Sequence, residues 1–164
     1  MENHTSLNKV LLKLEDSKEV YKKFGLKLFG AGNGKMYSFD LFIFAIIERS
    51  ILLTAGFCSL INQNNFLSAA PLVRMHLDNL LNIHAAFISP NVHDFSIKKL
   101  QGEQTKKMKD YKGAFMTDTY LAESLSKEKE TVWVINLYRE SSKFIHVSDK
   151  HMFSMAEKAK GDSC

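Results

Sequence analysis

Residues 39–62 read as one long helix that is apolar on nearly every side, with its only charge pair, Glu48-Arg49, close to its centre. A helix without a polar face has to be enclosed, by other helices or by lipid. A run of about 20 apolar residues is long enough to span a bilayer. Charges at its middle cost a few kcal/mol each in that setting. The central helix of a soluble bundle is therefore expected, started by Ser38 as N-cap. In such a bundle Glu48 shares a face with Ile51, Leu52 and Ala55 and needs a partner, because a carboxylate buried alone costs several kcal/mol.

The next helix offers that partner. Residues 62–65 are a polar turn, and Ser68 is placed to cap a helix that holds Pro71 within its first turn, where no amide bond is lost. Val73, Leu77, Leu80, Leu81 and His84 then line an apolar face, with Arg74, Asp78 and Asn82 beside it at one-turn spacing. Arg74 and Asp78 form an i,i+4 ion pair. A polar network of Glu48, Arg74 and Asp78 is expected to tie the two helices together. His76 and His84 read as packed or surface residues, since no second ligand pair appears at zinc spacing. No metal and no cofactor are expected.

Around this pair the chain is helical throughout. Leu7, Val10, Leu11 and Leu14 give an amphipathic helix over residues 6–24, with Lys9, Lys13, Lys18, Lys22 and Lys23 on its wet side. Gly25 and the run Gly30-Ala-Gly-Asn-Gly34-Lys35 are expected to break it. That run lacks the glycine spacing of a phosphate loop and has Met36 where a magnesium-binding hydroxyl belongs. Residues 1–37 are thus an amphipathic helix plus a Gly-rich linker, and residues 38–160 the bundle core. Ser89-Pro90-Asn91 ends the Pro71 helix, and a Lys-rich, solvated helix is expected within residues 94–112. Thr117 or Asp118 caps a short helix to Ser124. Ser126 caps the principal helix, residues 127–148, with Glu128 and Glu130 in its favourable first turn. A short helix closes the chain over residues 149–160. No period-2 strand of useful length appears, so the expectation is one all-α domain over residues 1–164, a bundle of about four to six helices.

The charge balance is mild, 22 basic against 18 acidic residues for a net +4. It tolerates nucleic acid without predicting it. Cys58 lies inside an apolar helix and Cys164 at the end of the sequence, which makes no disulfide framework or metal knuckle. The first ten residues lack the basic start and apolar core of a signal peptide. A reducing cytoplasm fits best, and no membrane partner is expected.

Within the principal helix Val134, Tyr138, Ser141 and Ile145 fall on one stripe, which should face the core. Ile135, Arg139, Ser142 and His146 form a second stripe, continued by Val132. Arg139 and His146 are seven residues apart, two turns or about 10 Å along the axis. An Arg offers a permanent planar cation suited to phosphate, and a His moves protons near neutral pH. The pair suits metal-independent phosphodiester cleavage.

The phrase Arg139-Glu-Ser-Ser-Lys-Phe-Ile-His146 resembles the HEPN superfamily signature, an Arg, four to six residues, then a His near the end of a late helix. The preceding long helices, with Ile46-Ile-Glu-Arg49 and Leu72-Val-Arg-Met-His-Leu-Asp78, and the closing Phe144-Ile-His-Val-Ser148 extend the resemblance to residues 39–150. It implies a helical bundle that forms a homodimer through the motif face. It also implies a metal-independent endoribonuclease or RNA-binding protein of a bacterial toxin-antitoxin or antiphage defence system, with an antitoxin or defence component as protein partner. Arg139 would then neutralise the scissile phosphate and His146 would act in acid-base transfer as the ribose 2′-hydroxyl attacks. Ser142 would orient phosphate or His, and Lys143 and Lys150 would add charge near the RNA backbone. Family nucleases commonly carry a small polar residue after the Arg, where this chain has Glu140. A non-catalytic helical dimerisation or interaction module of the same fold is the alternative.

Overall fold

A computed structural model describes residues 2–32 and 34–142. It is all-helical as expected: α1 (Glu2–Ala31), α2 (Ser38–Asn62), α3 (Phe66–Ile88), α4 (Val92–Leu100), α5 (Asp118–Leu125) and α6 (Val134–Ser142). Two 3₁₀ turns, Thr105–Lys107 and Lys129–Thr131, lie in the connections. The nearest approach to a sheet among the described residues is one isolated antiparallel bridge, Lys109 to Phe115. The parts of the principal helix and of the closing segment beyond Ser142 lie outside the described residues.

The centre of the bundle is the α2/α3 pair. α1 and α4 pack on α2, while α5 and α6 pack on α3. Phe42 and Ile43 of α2, Leu77, Leu81, Ala85 and Ala86 of α3, and Phe95 of α4 form the core. Leu121 and Ala122 of α5 and Val134 of α6 extend it, with Met108 and Met116 from the connection between α4 and α5. Each fully buried large apolar side chain contributes about 1.5–3 kcal/mol, so the core spans every element except the long arm of α1. That arm is tied on by Leu11 and by Leu28.

Several local expectations are corrected. Gly25 does not end α1: it packs against α2, where an added Cβ would stand 3.2 Å from Phe44 Cε1. The absence of a side chain leaves room for the Phe44 ring and Ile47 of α2 against the helix, and this outweighs the poor helix propensity of glycine. The break falls only at Gly32, whose carbonyl accepts from Lys35 N at 2.9 Å, with Gly34 at φ 75°.

Ser38 is the first residue of α2, and its hydroxyl reaches the His93 carbonyl at 3.2 Å; Asp40 instead accepts from Tyr37 N at 2.9 Å. Asn65, not Ser68, caps α3, its side-chain oxygen accepting from Ser68 N at 3.2 Å. Pro71 consequently sits in the second turn. The carbonyl of Leu67 loses its helical partner there, and Leu67 is exposed, so water can serve it.

Of the Lys-rich segment only the part within α4 (Val92–Leu100) is α-helical. The rest is an ordered loop organised by Asp110. Its carboxylate accepts from Lys112 N at 2.9 Å, from Ala114 N at 2.8 Å and from Tyr120 Oη at 2.5 Å. The Tyr120 hydroxyl, more than the two amides, holds the Asp110 carboxyl below its usual range. The side-chain oxygens of one Asp thus do what a regular element's ladder does elsewhere, which is why periodicity gave no sign of this loop.

Candidate functional site

The site begins with how α6 is positioned. Thr117 caps α5, as expected, by accepting from Tyr120 N at 3.3 Å. Ser126 closes α5, donating to the Ala122 carbonyl at 2.7 Å, and its oxygen accepts from Ile135 N at 2.9 Å. One hydroxyl therefore caps the C-terminus of α5 and the N-terminus of α6. The expectation that Ser126 caps the principal helix holds in chemistry and fails in register. The helix starts at Val134, and the 3₁₀ turn Lys129–Thr131 intervenes. Thr131 Oγ1 pins that turn through the Leu125 carbonyl at 2.6 Å.

The inner stripe of α6 faces inward as its spacing requires. Val134 and Ser141 are buried, and Tyr138 is half-buried. Ser141 donates to the Leu137 carbonyl at 2.6 Å, so its hydroxyl is satisfied within the helix. Tyr138 is held on two sides: the Arg74 guanidinium lies 4.7 Å from its ring centroid, and its hydroxyl is 3.2 Å from Thr119 Oγ1. Ile145, the last member of the stripe, lies outside the described residues.

On the second stripe Arg139 is exposed, Ile135 and Ser142 are partly covered, and Val132 stands 60% exposed at its start. Ser142 donates to the Tyr138 carbonyl at 2.7 Å. In this rotamer its oxygen can accept but its proton is committed, so orienting a phosphate would need a turn about χ1. His146, Lys143 and Lys150 lie outside the described residues. Glu140, beside Arg139, is exposed.

The expected polar network exists with different members. Arg74 is buried and forms an ion pair with Asp78, and its Nη2 donates to Asp118 Oδ2 at 2.9 Å. Glu48 does not join them. It is exposed, on the wall of an open groove between α1 and α2 that also holds Tyr21 and Lys22. Its helical neighbour Arg49 takes the inward position, donating to the Asn79 side chain and to the Met75 carbonyl at 3.1 Å. Asn79 Nδ2 in turn reaches Ser50 Oγ at 2.8 Å. A step of 100° separates Glu48 from Arg49, and Arg49 meets on α3 the Asn79 Oδ1 and the Met75 carbonyl, two acceptors that only a donor can use.

Sequence reasoning did not find Asp118 or Tyr138 as partners of Arg74, nor Asn79 as partner of Arg49. The available signal was that Asp118 is a first-turn acid and Asn79 a polar residue on an apolar face. Two half-buried histidines also hold polar contacts. His76 Nε2 is 3.2 Å from Tyr21 Oη, and His84 Nε2 is 3.1 Å from Ser124 Oγ. Burial lowers the pKa of both, helped at His76 by the charge of Arg49 and opposed at His84 by Glu128. Among the described residues no group of three or more His, Cys, Asp or Glu could hold a metal ion.

Comparison with protein-family models, with curated proteins and with solved structures found no match.

Proposed function

We propose that this chain is a HEPN-like helical protein that engages RNA as a homodimer and cleaves it without a metal. Arg139 holds the scissile phosphate, and His146 transfers protons as the ribose 2′-hydroxyl attacks. The observation that carries this reading is the presentation of Arg139. Burial of Val134 and Ser141, with Arg74 against Tyr138, gives α6 a single rotational setting, and Arg139 is then displayed to solvent. A cation with its orientation fixed by its helix is suited to a phosphate arriving from outside. The corresponding setting is a cytoplasmic bacterial toxin-antitoxin or antiphage defence system, where the protein partner is an antitoxin or defence component.

A second reading from another class, a non-catalytic interaction module, is supported by the start of α6. There Val132 and Trp133 are 60% and 49% exposed, and Glu140 places a carboxylate next to Arg139. The deciding experiment is cleavage of total RNA in EDTA by wild type, Arg139→Ala and His146→Ala at matched circular dichroism and dimer mass. Loss of a preorganised charge contact at the reacting phosphate reduces turnover by about 10²–10³-fold. Equal cleavage by the variants rejects both roles. A folded dimer that leaves RNA intact and shows no RNA binding favours the interaction module.

A further inference from the structure

A cleft of about 260 Å³ opens where four helices meet, with Leu14 of α1, Leu53 of α2, Val73 of α3 and Trp133 at the start of α6 among its walls. Its lining has no Asp, Glu, Lys or Arg, and just two side chains that can hydrogen-bond as ordinary polar groups besides the Trp133 indole: Thr54 and His76. Each makes one hydrogen bond within the chain. Thr54 donates to the Ser50 carbonyl at 2.9 Å, His76 Nε2 stands 3.2 Å from the Tyr21 hydroxyl, and Trp133 Nε1 donates to the Glu130 carbonyl at 2.9 Å.

We infer that this cleft is a binding site for a small uncharged hydrocarbon group, a single aromatic ring or a short alkyl chain. The scarcity of polar groups on the lining sets the class of occupant. A peptide brings amides that must find partners, at a cost of about 1–3 kcal/mol for each one left unpaired. A charged ligand meets no opposite charge on this lining, and a strongly hydrogen-bonding one finds only what Thr54 and His76 have to spare. Hydrocarbon needs no partner on such a lining and gains by covering the Leu, Val and Phe side chains that the half-open cleft leaves to water. The volume lies below the usual range for drug-sized ligands, about 300–1,000 Å³, which limits the occupant to one ring or its equivalent. This inference is independent of any role of Arg139.

Toluene is the probe, titrated into the full chain while methyl resonances of Leu53 and Val73 and the Trp133 indole N–H are followed by NMR. Saturable shifts at these positions, fitted by one site, are expected. Val73→Phe, which fills the cleft, is expected to raise the Kd for toluene at least tenfold, as is Leu53→Phe from the opposite helix. Shifts that stay linear to the solubility limit, or that appear only at Ile47 and Ile51 in the α1/α2 groove, overturn the proposal. So does unchanged affinity in whichever variant keeps the wild-type melting curve; if neither does, the wild-type titration decides. Cleft resonances that move on dilution without toluene would assign the cleft to a contact between copies, and also overturn it.

Discussion

The guanidinium of Arg74 lies 4.7 Å from the centre of the Tyr138 ring, which joins the middle of α3 to the inner stripe of α6. The same side chain pairs with Asp78 on its own helix and with Asp118 at the start of α5. One buried cation therefore sets the positions of three helices, including the helix that displays Arg139. A cation over an aromatic face, partly desolvated, adds about 0.5–2 kcal/mol to the two ion pairs.

Replacing Arg74 with Ala leaves two carboxylates facing a cavity and frees Tyr138. The expected loss is about 2–4 kcal/mol in urea denaturation, moderated because both carboxylates retain some water. Glu48→Ala is the contrast: an exposed side chain outside the network should change stability by less than about 0.5 kcal/mol. A comparable loss in both variants would restore Glu48 to the network.

Gly25 and Gly30 make a matched pair on one helix. A Cβ at Gly25 meets Phe44 at 3.2 Å and Ile47 at 3.8 Å, whereas a Cβ at Gly30 meets nothing within 4 Å. Gly25→Val should destabilise by about 1–3 kcal/mol through overpacking. Gly30→Ala should be neutral or stabilising by up to about 1 kcal/mol, the propensity difference. Thermal melts followed by circular dichroism distinguish the two.

Ser126 serves two helix ends with one hydroxyl. Ser126→Ala should cost about 1 kcal/mol for the lost N-cap of α6. Hydrogen exchange provides the sharper readout: the Ile135 amide should lose protection while α2 and α3 amides keep theirs. Equal loosening throughout would show that the residue acts through general packing.

The histidines predict the direction of the pH dependence. Burial lowers the folded-state pKa of His76 and His84 below the ordinary value near 6.5. The unfolded chain then takes up protons first as pH falls. Their contribution is fully present above about pH 6.5 and declines as the pH drops from there towards the lowered folded values. His76→Gln and His84→Gln should each flatten the fall in stability between pH 6.5 and 5, measured as urea midpoints. A slope unchanged in both variants would place the titrating groups elsewhere.

What the sequence by itself determined is the set of features that are local. The apolar run of residues 39–62 makes one long helix, although enclosure stops short of the side that carries Leu41, Glu48 and Leu52, which stay exposed; the Thr117 cap starts α5, and the spacing of Val134, Tyr138 and Ser141 turns one side of α6 inward. Periodicity and caps act within a few residues, so they are legible without the fold. The tertiary structure decided every question of partnership. Glu48 and Arg49 are neighbours 100° apart on a mostly apolar helix, and the Asn79 Oδ1 and Met75 carbonyl on α3 select the donor for the inside. Arg74 finds Asp118, 44 positions later, because α5 docks on α3. Gly25 reads as a break until α2 arrives within contact distance of it. The side chain that wins an inward position is chosen by what the facing helix offers, and that choice exists only once the helices are packed.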